Sequence, residues 1–137
     1  MRIPRPDLTV SHRLEAAGPI ETSLVWRRYC EPALWPLWSP QVRRVEYAFE
    51  RIRPGTPGRV FGPGGLWLAF WIEDVRADER SWTWLARRGP WAVALEHAVQ
   101  PTTEGTRTQL AIRGPAPLVL PYLPLARYAL HRLVNLP

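Results

Sequence analysis

Between residues 66 and 113 the chain repeats one pattern with little interruption. Apolar and polar positions alternate, and short turn-forming clusters cut the alternation at 77–79, 89–90 and 102–105. A period of two places alternate side chains on opposite faces and marks half-buried strands. Connectors this short cannot hold a crossover helix, so consecutive strands must run antiparallel. The stretch 91–99 shows the pattern best: Trp91, Val93, Leu95, His97 and Val99 alternate with Ala92, Ala94, Glu96 and Ala98. Trp82 and Trp84 share one face of the strand expected at 80–88, and a final strand is expected at 106–113. A sheet built this way needs a cover for its apolar face, and the flanking segments must supply it.

Those flanks read as mixed. Leu8, Val10, His12, Leu14 and Ala16 alternate through 7–17, which predicts a first strand stopped by Gly18-Pro19. Residues 20–29 have helical spacing through Ile20, Leu24, Val25 and Arg28, and Pro32 suits the first turn of a second short helix over 31–38. Further strands are expected at 42–49 and 59–62, around a Pro/Gly turn cluster at 53–58. At the far end, residues 118, 122, 125, 129, 133 and 136 carry an apolar stripe, with Leu123, Ala126, Leu130 and Val134 beside it. Pro121 and Pro124 do not fit a helix interior, so an irregular or kinked opening is expected, with regular helix from about Pro124. The order is strand, two short helices, about six strands, one long helix. This is an α+β chain whose sheet curves round the last helix and leaves a cavity between them.

Composition narrows the function. The 137 residues make a single domain over 1–137, with its core at about 7–136. Cys30 is the lone cysteine, which removes any internal disulfide or cysteine zinc cluster. His12, His97 and His131 lack metal-ligand spacing, so no metal is expected. The longest apolar run free of proline and glycine, 66–72, is too short to span a membrane. No apolar signal core opens the chain, and a soluble, cytoplasmic setting is expected. Net charge is +6, and all 18 basic residues are arginine, scattered among acids. That scatter reads as a solvated surface; no specific nucleic-acid partner is expected. Gly62-Pro63-Gly64-Gly65 joins two strands and precedes no helix, and no G-x-S-x-G elbow occurs; no cofactor is expected.

Several short motifs in order along the chain resemble one superfamily. Leu34-Trp35-Pro36-Leu37-Trp38-Ser39-Pro40 precedes Val42 and Val45. Pro54-Gly55-Thr56-Pro57-Gly58-Arg59-Val60 forms a glycine turn, and Trp82-Thr83-Trp84 falls mid-sheet. Leu95-Glu96-His97 is followed by Gly105-Thr106-Arg107. Together these resemble the SRPBCC superfamily (START-like, polyketide cyclase/dehydrase-type). The resemblance implies the helix-grip fold, with six to seven antiparallel strands wrapped round a long C-terminal helix. It implies a deep apolar pocket for a hydrophobic small molecule such as a polyketide, lipid or terpenoid. The superfamily holds both carriers and cyclases, so it does not fix a reaction.

Chemistry of the cyclase type needs a proton acceptor, a donor and a group to steady an enolate. His97 interrupts an apolar strand face and is the first acid–base candidate; its plain alternative is a hydrogen-bonded structural histidine. Tyr122, on the 118–125–129 stripe, is a phenolic donor or a core residue. Arg88 shares the parity of Trp82 and Trp84, and either polarises a carbonyl or sits solvated at a strand end. For ligand binding the candidates are His12, Trp82, Trp84, Leu95, Leu125 and Ala129. Asp74 shares the parity of Leu68, Phe70 and Ile72, while Glu96 belongs to the outer face. Trp67 and Trp71 fall opposite Leu68 and Phe70, so one face of that strand is cavity and the other is free for a homodimer contact.

Overall fold

The computed structural model describes residues 9–137, and within them seven strands form a single antiparallel sheet. The strands are β1 (Thr9–Gly18), β2 (Arg44–Tyr47), β3 (Thr56–Phe61), β4 (Trp67–Arg76), β5 (Ser81–Arg88), β6 (Trp91–Thr102) and β7 (Gly105–Pro115). Their order is β1-β7-β6-β5-β4-β3-β2, a meander whose last strand returns to pair with the first. Two short helices, α1 (Thr22–Cys30) and α2 (Trp35–Trp38), follow β1, and the long helix α3 (Ala116–Asn135) closes the chain. A 3-10 turn at Pro32–Leu34 joins α1 to α2. The expected α+β helix-grip architecture is what forms. The part of the first expected strand before residue 9 lies outside the described residues.

The inner face follows from the parity. Val93, Leu95, His97 and Val99 of β6 lie beside Thr108, Leu110, Ile112 and Gly114 of β7, while Trp82 and Trp84 of β5 pair with His97 and Leu95. α3 covers this face with Val119, Ala126, Ala129, Leu130, Leu133 and Val134, all buried. That stripe keeps Ala129 and Leu133 of the expected one but has Val119 and Ala126 in place of Leu118 and Leu125, which are exposed. The helix is apolar on nearly all sides at its start, so spacing alone does not choose between the two stripes. Small Ala126 and Ala129 face the sheet, where they permit close approach.

α3 also starts earlier than expected. It is helical from Ala116 and carries Pro121 and Pro124 inside. Both prolines are exposed. Their missing N–H groups leave the carbonyls of Pro117 and Leu120 without the usual partners, on a side where water can reach them.

The short helices are held by their tryptophans. The last carbonyls of a helix need partners from outside it. Here the Arg27 carbonyl accepts from the Glu31 amide at 3.0 Å and the Cys30 carbonyl from the Ile52 amide at 2.8 Å. The Arg28 carbonyl accepts from the Trp38 indole at 3.1 Å, and the Tyr29 carbonyl from the Trp35 indole at 2.9 Å. Two side chains of the Leu34–Ser39 motif therefore finish α1 while their rings fill the space above the sheet.

The Gly105-Thr106 pair has an equally local reason. A Cβ at Gly105 would overlap the backbone of Gly18 and Pro19. Thr106 is fully buried, and its hydroxyl donates to the Ile20 carbonyl at 2.6 Å. In the glycine turn, Gly55 has φ +78° and its amide donates to Ile72, while Gly58 lies directly under the Phe70 ring. β3 consequently begins inside the expected turn cluster, at Thr56.

One expectation of parity is overturned. The register of β4 on β5 slips between Ile72 and Asp74, leaving Glu73 without a partner. This bulge sends Asp74 to the outer face, where its carboxylate meets Arg76 at 2.8 Å.

Candidate functional site

A cavity of about 40 Å³ lies where β5, β6, β7, the α2 region and α3 meet. The sheet contributes Trp82, Trp84, His97 and Leu110, α2 and the loop after it contribute Trp35, Trp38, Ser39 and Val42, and α3 contributes Tyr122, Ala126, Ala129 and Leu130. The position is the one expected between sheet and helix. The size is not. Pockets for drug-sized ligands run to about 300–1,000 Å³. Here the aromatic side chains that were to line a deep pocket fill most of it.

The rings are ordered as a ladder. His97 stacks on Trp82 with centroids 4.6 Å apart and planes 11° from parallel. Trp82 stacks on Trp84 at 5.5 Å and 25°, and Trp35 on Trp82 at 5.5 Å and 26°. Tyr29 meets Trp82, Trp38 and His97 edge-on, and its hydroxyl shares a hydrogen bond with Thr108 at 2.5 Å. Such contacts add to burial energy and fix ring orientation.

Several polar atoms on this ladder have no partner among the described residues: Nε1 of Trp82, Nε1 of Trp84 and Nδ1 of His97, together with Oε1 of Gln41. Gln41 donates through Nε2 to the Tyr122 hydroxyl at 3.3 Å, linking the loop after α2 to α3 beside the cavity. Burial alone drives the His97 pKa down to about 3, so the imidazole is neutral at any ordinary pH. Burial raises the Tyr122 pKa, partly offset by the Gln41 hydrogen bond. A histidine held so far below neutrality is a weak base, which removes the main advantage of imidazole for proton transfer.

Of the residues expected at the site, His97, Tyr122, Trp82, Trp84 and Ala129 come together round this cavity. Leu95 is buried in the core on the same face without lining it. The other three lie elsewhere. Leu125 is 47% exposed on the solvent side of α3. His12 is exposed on β1, the rim of the sheet, and borders the larger hollow described below. Arg88 is exposed near the end of β5, where Nη1 donates to the Trp67 carbonyl at 2.8 Å and the guanidinium lies 5.0 Å from the Trp67 ring centre. Gln41 had no signal in the sequence, and Ser39 and Val42 stood out only as members of the motif at 34–45, because a loop has no period from which to read a facing direction. Ala126 and Leu130 were legible only as neighbours of the expected stripe.

A larger hollow of about 500 Å³ lies on the opposite face of the sheet. It is an open trough floored by Ala94 and Ala111, with Ser11, Arg13, Thr83, Glu96 and Arg113 round it. Elsewhere on that face arginines are matched by acids, as in Arg44–Glu46, Arg59–Glu46 and Arg76–Asp74. Such exposed pairs contribute little to stability. Among the described residues no group of histidine, cysteine and carboxylate side chains is placed to hold a metal, and no helix is long and apolar enough to cross a membrane.

No protein-family model matches the chain, and no curated protein sequence matches it. Solved structures do. The ginseng major latex-like protein 151 from Panax ginseng superposes with a TM-score of 0.77 at 13% identity, over 95% of this chain and 99% of that one. Ara h 8.0201 gives 0.73 at 11% identity, over 92% of this chain and 95% of that one. Protein CV1439 from Chromobacterium violaceum gives 0.71 at 15% identity, over 90% and 94%. At these identities the likeness is one of fold. It meets the expectation of a helix-grip fold, now from geometry instead of motifs.

Proposed function

We propose that this chain binds a hydrophobic small molecule between the inner face of its sheet and α3. The observation that carries the reading is the cavity itself, walled by Trp35, Trp38, Trp82, Trp84 and Tyr122 at the junction of three elements. An apolar site with a few polar atoms is the usual form of a small-molecule site. At about 40 Å³ the cavity is smaller than the roughly 150 Å³ that takes one aromatic ring, so even a compact one-ring ligand requires α3 or the loop after α2 to move outward, and a lipid chain or a polycyclic polyketide requires more.

The acid–base alternative has less behind it. His97 is kept neutral and pairs with no carboxylate, and Arg88 is outside the cavity. A carrier or sensor role asks only that a ligand fit and stay.

Native mass spectrometry of the protein purified from its own host tests the reading. The expected result is a mass increment from a co-purified lipophile, released on denaturation. Protein that carries no such increment and gives no calorimetric signal with toluene, phenol or benzoate would sink it.

A further inference from the structure

We infer that the ligand of this cavity presents an uncharged oxygen, a hydroxyl or a carbonyl, to the edges of Trp82, Trp84 and His97. The inference rests on the binding role proposed above and specifies its chemistry. Three neighbouring rings of one stacked ladder line the same cavity, and each carries a buried nitrogen with no partner among the described residues. Trp82 is 2% exposed and His97 5%. Elsewhere in this core an indole does find an acceptor: Trp35 and Trp38 each donate to a carbonyl of α1. A buried donor left unpaired is costly, so two indoles at alternate positions of β5 make the inner strands receptive to an acceptor.

The charge of that acceptor follows from what surrounds it. Among the described residues no arginine or acid lines the cavity, and His97 is neutral. An ionised carboxylate brought here would lose its hydration and gain no counter-charge. A hydroxyl oxygen can accept from an indole N–H and donate its proton to Nδ1 of His97. A carbonyl can accept from both indoles, with His97 as the tautomer that carries its proton on Nδ1.

The test uses three ring-sized probes, phenol, toluene and benzoate, titrated calorimetrically into the intact chain near neutral pH. Phenol should bind at least about tenfold more tightly than either of the others, the usual worth of satisfying a buried donor. In Trp84→Phe, and in Trp82→Phe if it retains its fold by circular dichroism, the ratio of phenol to toluene affinity should fall most of the way to one, because the added space acts on both probes alike and the lost N–H on phenol only. Equal binding of phenol and toluene to the unmodified chain, or a preference that survives both substitutions, overturns this inference and leaves the hydrophobic role standing. Tight benzoate binding overturns the argument on charge. Failure of all three to bind overturns this inference, and sinks the parent reading too only if no lipophile co-purifies with the protein.

Discussion

The guanidinium of Arg28 donates through Nη1 to the backbone carbonyl of Leu133 at 2.9 Å, across 105 residues of sequence. Arg28 is 3% exposed and lies on the buried side of α1, while Leu133 is in the last turns of α3. This bond ties the two ends of the chain above the sheet. Arg28→Ala should cost about 2–4 kcal/mol in urea denaturation, from an unpaired carbonyl and the space left by the side chain. A loss under about 0.5 kcal/mol would show that the bond has no structural weight.

Trp35→Phe tests the capping of α1. The smaller ring keeps much of the stacking on Trp82 but removes the N–H that satisfies the Tyr29 carbonyl. The expected cost is about 1–2 kcal/mol. Trp26→Phe, at a half-buried position with no recorded indole hydrogen bond, serves as the reference and should cost less.

His97 gives the fold an acid sensitivity. Its pKa falls from an ordinary 6.5 to about 3 on burial, so the unfolded chain binds the proton more tightly. Between those values stability rises with pH, by up to about 1.4 kcal/mol per unit. The contribution is complete above pH 6.5 and is lost as pH falls toward 3. Melting temperature measured from pH 7 to 4 should fall for the native chain and fall less steeply for His97→Phe. Parallel curves for the two would show that His97 is not the group responsible.

Two glycines separate steric from conformational cost. A Cβ at Gly18 would overlap the Val134 carbonyl and press on Asn135, where backbone cannot yield. Gly18→Ala should therefore cost about 2–3 kcal/mol. Gly64 has φ +68° with open space round it. Gly64→Ala should cost about 1 kcal/mol, from backbone strain alone. Denaturation midpoints that rank the pair the other way would contradict this assignment.

The strands were legible because alternation over six or more residues leaves little choice of face. His97, Trp82 and Trp84 were placed correctly on that ground alone. Asp74 was not, because a single unpaired residue at Glu73 inverts every position after it and leaves no trace in a period of two. Leu125 and Ala126 were exchanged for a related reason. Neighbouring residues on a helix differ by about 100°, and where Leu118, Val119 and Leu120 are all apolar the pattern does not say which points inward. The cavity's volume was out of reach altogether. It depends on how four indoles stack, and stacking is decided by rotamers and not by spacing.

The exposed prolines of α3 give the helix two unequal halves. Past residue 124 every amide can donate to the carbonyl four residues back, and that half carries Arg28's anchor and the contacts with β1. Before it, two of those bonds do not exist, so the segment that holds Tyr122 should open locally at lower cost than the segment behind it. Amide exchange should divide at the same point, quick ahead of Pro124 and slow after it. The wall of the cavity is thus built from the weaker half of the helix, with the missing bonds on its outer, wetted side.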